Sequence, residues 1–105
     1  MEITLRNTVL EIINKHKILF NDYVASYGAY DIDKNSCFMF VKKEEQAFSI
    51  KMMEKENKIK INDTLNLFKT EINKKDLDVF IHGFIIASVT ILTQLNYKEE
   101  TNGTN

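Results

Sequence analysis

The stretch VFIHGFIIASVTILTQL, Val79 to Leu95, holds eleven apolar residues in seventeen and not one charged residue. A bilayer span asks for about 20 predominantly apolar residues. This run is shorter, is interrupted by His82, Ser88, Thr90, Thr93 and Gln94, and has acids on both sides. It is also too apolar for an ordinary surface helix. The expectation is a long, largely buried C-terminal helix of a water-soluble domain, with no membrane partner.

At about 100° per residue the run resolves into three stripes. Leu77, Phe80, Ile81, Phe84, Ile85, Ser88, Ile91, Leu92 and Leu95 form the widest and should face the core. Beside it lies a close-packing seam of compact residues, Gly83, Ala87 and Thr90, continued by Gln94. Small residues at four-residue spacing let a second backbone approach, which would justify a mid-helix glycine that costs roughly 1 kcal/mol. The third stripe should be wet, yet its middle is Val79, His82, Ile86 and Val89. Either a neighbouring element such as the first helix covers these four, or they form an interface, in the first instance of a homodimer.

Outward from that helix, Asn73 with Asp76 forms a capping arrangement that starts it, and it is expected to run to about Tyr97. Asn62, Asp63 and Thr64 offer N-caps for a preceding helix whose Leu65, Phe68 and Ile72 share one face. At the other end, Leu5, Val9, Ile12, Leu19, Phe20, Tyr23 and Tyr27 recur with helical spacing from Ile3 onward. Gly28 is placed to stop that helix, and Asn14 to Lys17 is where it would break. Between them, Ser36 to Val41 reads as a buried strand, and Phe48 to Met52 and Lys58 to Ile61 alternate as half-wet strands. Residues 43 to 54 are equally rich in helix formers. The expected fold is α+β: a long N-terminal helix, a small antiparallel sheet of two or three strands, and two C-terminal helices. One domain should span residues 1 to 97, with a polar, frayed tail from 98 to 105.

Composition narrows the function classes. The net charge is −1, with one arginine, Arg6, among fourteen basic residues. Arginine is the preferred bidentate reader of phosphate and guanine, so its scarcity counts against nucleic acid. A single cysteine excludes an internal disulfide and fits a reducing, cytoplasmic setting. No signal-peptide pattern is present. Lysine, isoleucine and asparagine are abundant, while glycine is scarce and proline absent. That is the codon imprint of a low-GC bacterium, its phages or its mobile elements.

Few motifs are complete. Asp31, Asp33 and Asn35 open like a calcium loop, but Ser36 and Lys42 stand where the turn glycine and the closing acid are required. His16 and His82, on different helices, could meet beside Asp78 and bind a metal or share a proton. No ligand spacing supports this, and the plainer expectation is one core and one surface histidine. Cys37 lies in an apolar strand where a thiol is inert. No nucleophile elbow, phosphate loop or carboxylate pair is present. An enzyme, a metal and a cofactor are therefore not expected.

Two further surfaces stand out. Tyr23, Tyr27 and Tyr30 lie together near acids at the end of the first helix and offer partner contacts. Lys42, Lys43, Lys51, Lys58 and Lys60, with Lys55, crowd the strand region against Glu44, Glu45, Glu54 and Glu56, and as a hairpin could lie along phosphates. A lysine-protected sheet edge is the duller account. The functional expectation is a small non-enzymatic phage or mobile-element protein that binds a host protein stoichiometrically, as an inhibitor. The alternative is a dimeric DNA-binding regulator that uses the lysine-rich hairpin. A small-ligand pocket near His16 and His82 is a third class.

Overall fold

A computed structural model describes residues 4–17 and 26–103. Helix α1 spans Leu5–Lys15. It is followed by five strands, β1 (Ser26–Asp33), β2 (Ser36–Lys43), β3 (Gln46–Lys55), β4 (Lys58–Asp63) and β5 (Lys69–Asn73). A 3₁₀ turn over Lys74–Asp76 leads into α2, Leu77–Gly103. The strands form one antiparallel meander in the order β1-β2-β3-β4-β5.

The α+β class is as expected, but three elements differ from it. The first helix is short. Thr4 caps it, its Oγ1 accepting from the Asn7 N–H at 3.2 Å, and Leu5, Val9 and Ile13 are its buried stripe. Helix α1 ends at Lys15, short of the Tyr27 to which the helical spacing pointed. Tyr27 belongs to β1, and Leu19, Phe20 and Tyr23 lie outside the described residues. Gly28 is a strand residue rather than a helix stop. A Cβ on it would stand 3.2 Å from the Phe40 ring, which occupies that space across the strand pair, a pairing that compensates for the missing glycine side chain.

The second difference is in the sheet, which has five strands rather than two or three. Residues 43 to 54, which could have been helix, are the last residue of β2, the Glu44–Glu45 turn and most of β3. The decisive device is the turn chemistry: Glu44 takes φ 55°, and Glu56 and Asn57 take φ 53° and 63°. Two consecutive left-handed residues match the twist of a two-residue hairpin. The third difference is the expected helix over Leu65 to Ile72, which is absent. Asp63 accepts from the Phe68 N–H at 2.8 Å through its side chain and from the Asn66 N–H at 3.1 Å through its carbonyl. The residue expected to cap a helix thus closes a loop, with Asn66 left-handed at φ 59°, and Ile72 pairs with Ile59 in β5. There is consequently one C-terminal helix, and its backbone continues past Tyr97 to Gly103.

Both helices lie on one face of the sheet. Cys37, Met39, Val41, Ile50, Met52, Ile59 and Ile61 point inward and meet Leu5, Val9 and Ile13 of α1 and Leu77, Ile81, Ile85, Val89 and Leu92 of α2. Each is worth roughly 1.5–3 kcal/mol of burial. The opposite sheet face carries no second layer among the described residues, so this is a two-layer domain with two outer surfaces: the back of α2 and the open sheet.

Candidate functional site

The core takes a narrow stripe of α2. Leu77, Ile81, Ile85, Ser88, Val89 and Leu92 are buried, and Phe80 and Phe84 are half-buried. The helix is therefore less buried than expected: Ile91 and Leu95, assigned to the core from spacing, are exposed. The stripe Val79, His82, Ile86 and Val89 is split. Val89 is a core residue at 9 % exposure, while Val79 and Ile86 are exposed at 73 % and 43 %. His82 is half-buried, its ring stacked on that of His16 at the C-cap of α1, with centroids 4.7 Å apart and planes at 30°. Cover within the chain holds for Val89 and His82, whereas Val79 and Ile86 are exposed.

The close-packing seam faces away from the domain. Gly83, Ala87 and Thr90 are exposed, and nothing lies within 4 Å of a Cβ built on Gly83. No element of the described chain occupies the gap that this glycine makes. Beside it runs a groove of about 480 Å³ lined by Phe48, Ile50, Phe68, Val79, Phe80 and Phe84, together with the polar Ser49 and Asp63. The β4–β5 loop adds Leu65, Leu67 and Phe68 at 74 %, 82 % and 47 % exposure. These apolar side chains are held out by an ordered backbone. Asp63 fixes Phe68 as above, and Asn62 donates from Nδ2 to Asn66 Oδ1 at 3.1 Å. From Val79 to Leu95 the exposed side of α2 bears no charge. Large exposed apolar surface of this kind marks a contact site.

Leu65 and Leu67 were missed by sequence reasoning. Helical spacing set Leu65 on one helix face with Phe68 and Ile72, and the signal against it was the Asn-Asp-Thr run, which serves turns as readily as N-caps.

The helix stretch Lys74 to Leu95 is long and apolar enough to cross a bilayer by length and composition alone. Its most apolar stripe is the one packed on the sheet, and spanning would strip the core bare.

The second outer surface gathers the lysines. The register sets Tyr30 opposite Phe38, Phe38 opposite Lys51, Lys51 opposite Asn62 and Asn62 opposite Lys69, one row across all five strands of the open face. Lys42, Lys58 and Lys60 share that face by alternation, whereas Lys43 falls on the other. The lysines lie across the sheet rather than along one hairpin. The tyrosines do not act together: Tyr27 packs against the core, Tyr30 is 52 % exposed on the open face, and Tyr23 lies outside the described residues.

The two histidines do meet, with Asp78 between the helices as the sequence allowed. Asp78 accepts from Lys15 Nζ at 2.8 Å through Oδ2 and lies 3.0 Å from His16 Nε2 through Oδ1. Lys15 first and His16 second hold its carboxyl below the usual value. The trio ties α1 to α2. Among the described residues no group of three histidines, cysteines or acids is arranged to hold a metal ion. Asp31 and Asp33 lie at the end of β1 and Asn35 in the β1–β2 turn, with Asp33 accepting from the Asn35 N–H at 2.8 Å. Cys37 is buried, and desolvation ahead of the nearby Asp31 charge pushes its thiol up to about 12.

Comparison with protein-family models, curated proteins and solved structures finds no match to this chain. The surfaces themselves are what point to function.

Proposed function

We propose that this is a small, non-enzymatic binding protein that works by stoichiometric protein–protein association through the uncharged back of α2 and its adjoining groove. The observation that carries it is the empty space over Gly83. A mid-helix glycine costs about 1 kcal/mol against alanine, and nothing within the described chain makes use of the room it leaves. The occupant that fits is a helix with a compact, apolar face laid into the groove. The chain carries such a helix itself, so a second copy is the first occupant: α2 crosses α2 at Gly83 and Ala87, with Val79 and Ile86 alongside. Leu65 and Leu67 extend the same surface toward a target protein, which the association would inhibit by occlusion. A cytoplasmic setting accords with the lone, buried cysteine, and a low-GC bacterium, phage or mobile element accords with the residue usage.

Light scattering across a concentration series tests this. The wild type should be a dimer at micromolar concentration, and Gly83→Leu a monomer with undiminished thermal stability, because the new side chain enters open space. A wild type that is monomeric at high micromolar concentration, or a Gly83→Leu protein that still dimerises, overturns the α2 pairing. Flotation of the wild type with neutral vesicles would overturn the protein occupant in favour of lipid.

A further inference from the structure

We infer that the open face of the sheet binds single-stranded nucleic acid without sequence preference, independently of the back of α2. The charge on that face is one-sided. By strand alternation and register it carries Lys42, Lys51, Lys55, Lys58, Lys60 and Lys69 against two strand acids, Glu71 and, at the β1–β2 end, Asp33. Glu71 engages Lys58 at 3.5 Å and leaves the other five lysines uncompensated by it. The acids that balance these lysines in the sequence are elsewhere. Glu54 points to the helix side and takes Lys74 at 2.9 Å, while Glu44, Glu45 and Glu56 sit in turns at the sheet ends. Lys55 and Lys58 even stand directly opposite one another, a like-charge pairing that costs stability unless an anion lies across it.

Charge alone would suit any polyanion; the aromatic rings select among them. Tyr30 and Phe38 lie with centroids 5.2 Å apart, and the Phe40 ring covers Gly28 in the next pair along the same two strands. Three rings on β1 and β2 adjoin lysines on β3, β4 and β5. Unpaired bases can stack on the rings while their phosphates cross the lysines, the arrangement by which sheets hold single strands. A duplex hides its base faces and a lipid headgroup has none. A shallow concavity of about 530 Å³ lined by Lys51, Met53, Lys60, Asn62, Lys69 and Glu71 continues the track beyond the rings. Lysine in place of arginine supplies point charges rather than a bidentate fork, so the site should not read sequence.

Fluorescence anisotropy with labelled oligo-dT and oligo-U of about fifteen nucleotides, within the ~4–16-nucleotide range of such sites, tests the inference. Both strands should bind, and affinity should fall steeply between about 50 and 200 mM salt. Lys51→Gln with Lys60→Gln should flatten the dependence of log affinity on log salt by about 0.7 for each phosphate no longer neutralised. Tyr30→Ala should weaken binding about tenfold through weaker stacking and leave the salt slope unchanged. Tyr30 is half exposed and Lys60 lies at the surface, and circular dichroism confirms that each variant is folded. No binding at low salt overturns the inference. So does equal affinity for a duplex, a Tyr30→Ala protein that binds as the wild type does, or binding of phosphatidylserine vesicles in place of the oligonucleotides.

Discussion

The back of α2 and the open face of the sheet are the two outer surfaces of a two-layer domain, and they are opposite in chemistry. The first bears no charged residue from Val79 to Leu95 and is grooved beside a glycine; the second is studded with lysines beside three aromatic rings. A chain with net charge −1 thus holds one surface suited to apolar association and another suited to an anionic strand. Net charge averages over surfaces and says nothing of either one. What separates them is the core, which draws on one face of each layer and leaves both outer faces free to diverge.

The largest effect that would break this division comes from Val89. It lies near Ile86 in sequence but is buried where Ile86 is exposed, so Val89→Glu should destabilise the fold by about 3–5 kcal/mol through an unpaired buried charge. Ile86→Glu should stay within about 0.5 kcal/mol of wild type in urea denaturation of the monomer and still abolish dimerisation. Equal effects would mean that the two positions share one environment. A sharper comparison is cross-immunity. Gly83→Leu should leave oligonucleotide affinity unchanged, and the Lys51→Gln, Lys60→Gln protein should dimerise normally, both readable on the same samples.

Cys37 measures the integrity of the layer between the surfaces. With its thiol raised to about 12 by burial, it should resist a thiol reagent at pH 8 in the native protein and react at once in denaturant. Smaller still is the effect expected of Gly83→Leu on the monomer, a gain of about 0.5–1 kcal/mol in helix propensity; a loss would mean that the space is already filled.

The smallest effect concerns the tie between the helices. Asp78 has a depressed pKa in the folded state, so its contribution is fully present above its ordinary value of 3.8 and is lost as pH falls through the folded value. With its side chain 36 % exposed, solvent screening keeps that contribution under about 1 kcal/mol. Asp78→Asn should remove the corresponding slope from acid unfolding curves below about pH 4, near the ordinary carboxylate value; an unchanged slope would mean that Lys15 and His16 do not hold the carboxylate in solution.

Much of the fold is legible in the residues. Strand 36 to 41 declares itself as an apolar run, 58 to 61 by alternation and the last helix by its length, while 48 to 52 alternates but suits a helix as well and Asn73 makes no side-chain cap. What misleads is local ambiguity. Asn62, Asp63 and Thr64 suit a turn as well as an N-cap, and Leu65 with Phe68 satisfies helical spacing while belonging to a loop. Gly28 suggests a stop for the same reason, since the sequence does not reveal that Phe40 lies across from it.

The sequence by itself determined the class of fold, the identity of most core residues and the absence of charge from Val79 to Leu95, because composition and periodicity are local properties of a chain segment. Only the tertiary structure decided which side of α2 is bare, how His16 comes to lie on His82, and where the charges go. Six lysines and four acids interleave along residues 42 to 60 with little net charge, yet strand alternation and register send most of the lysines to one face and the acids to turns or the other side. Sorting of that kind depends on pairing between strands, and no window of sequence contains it.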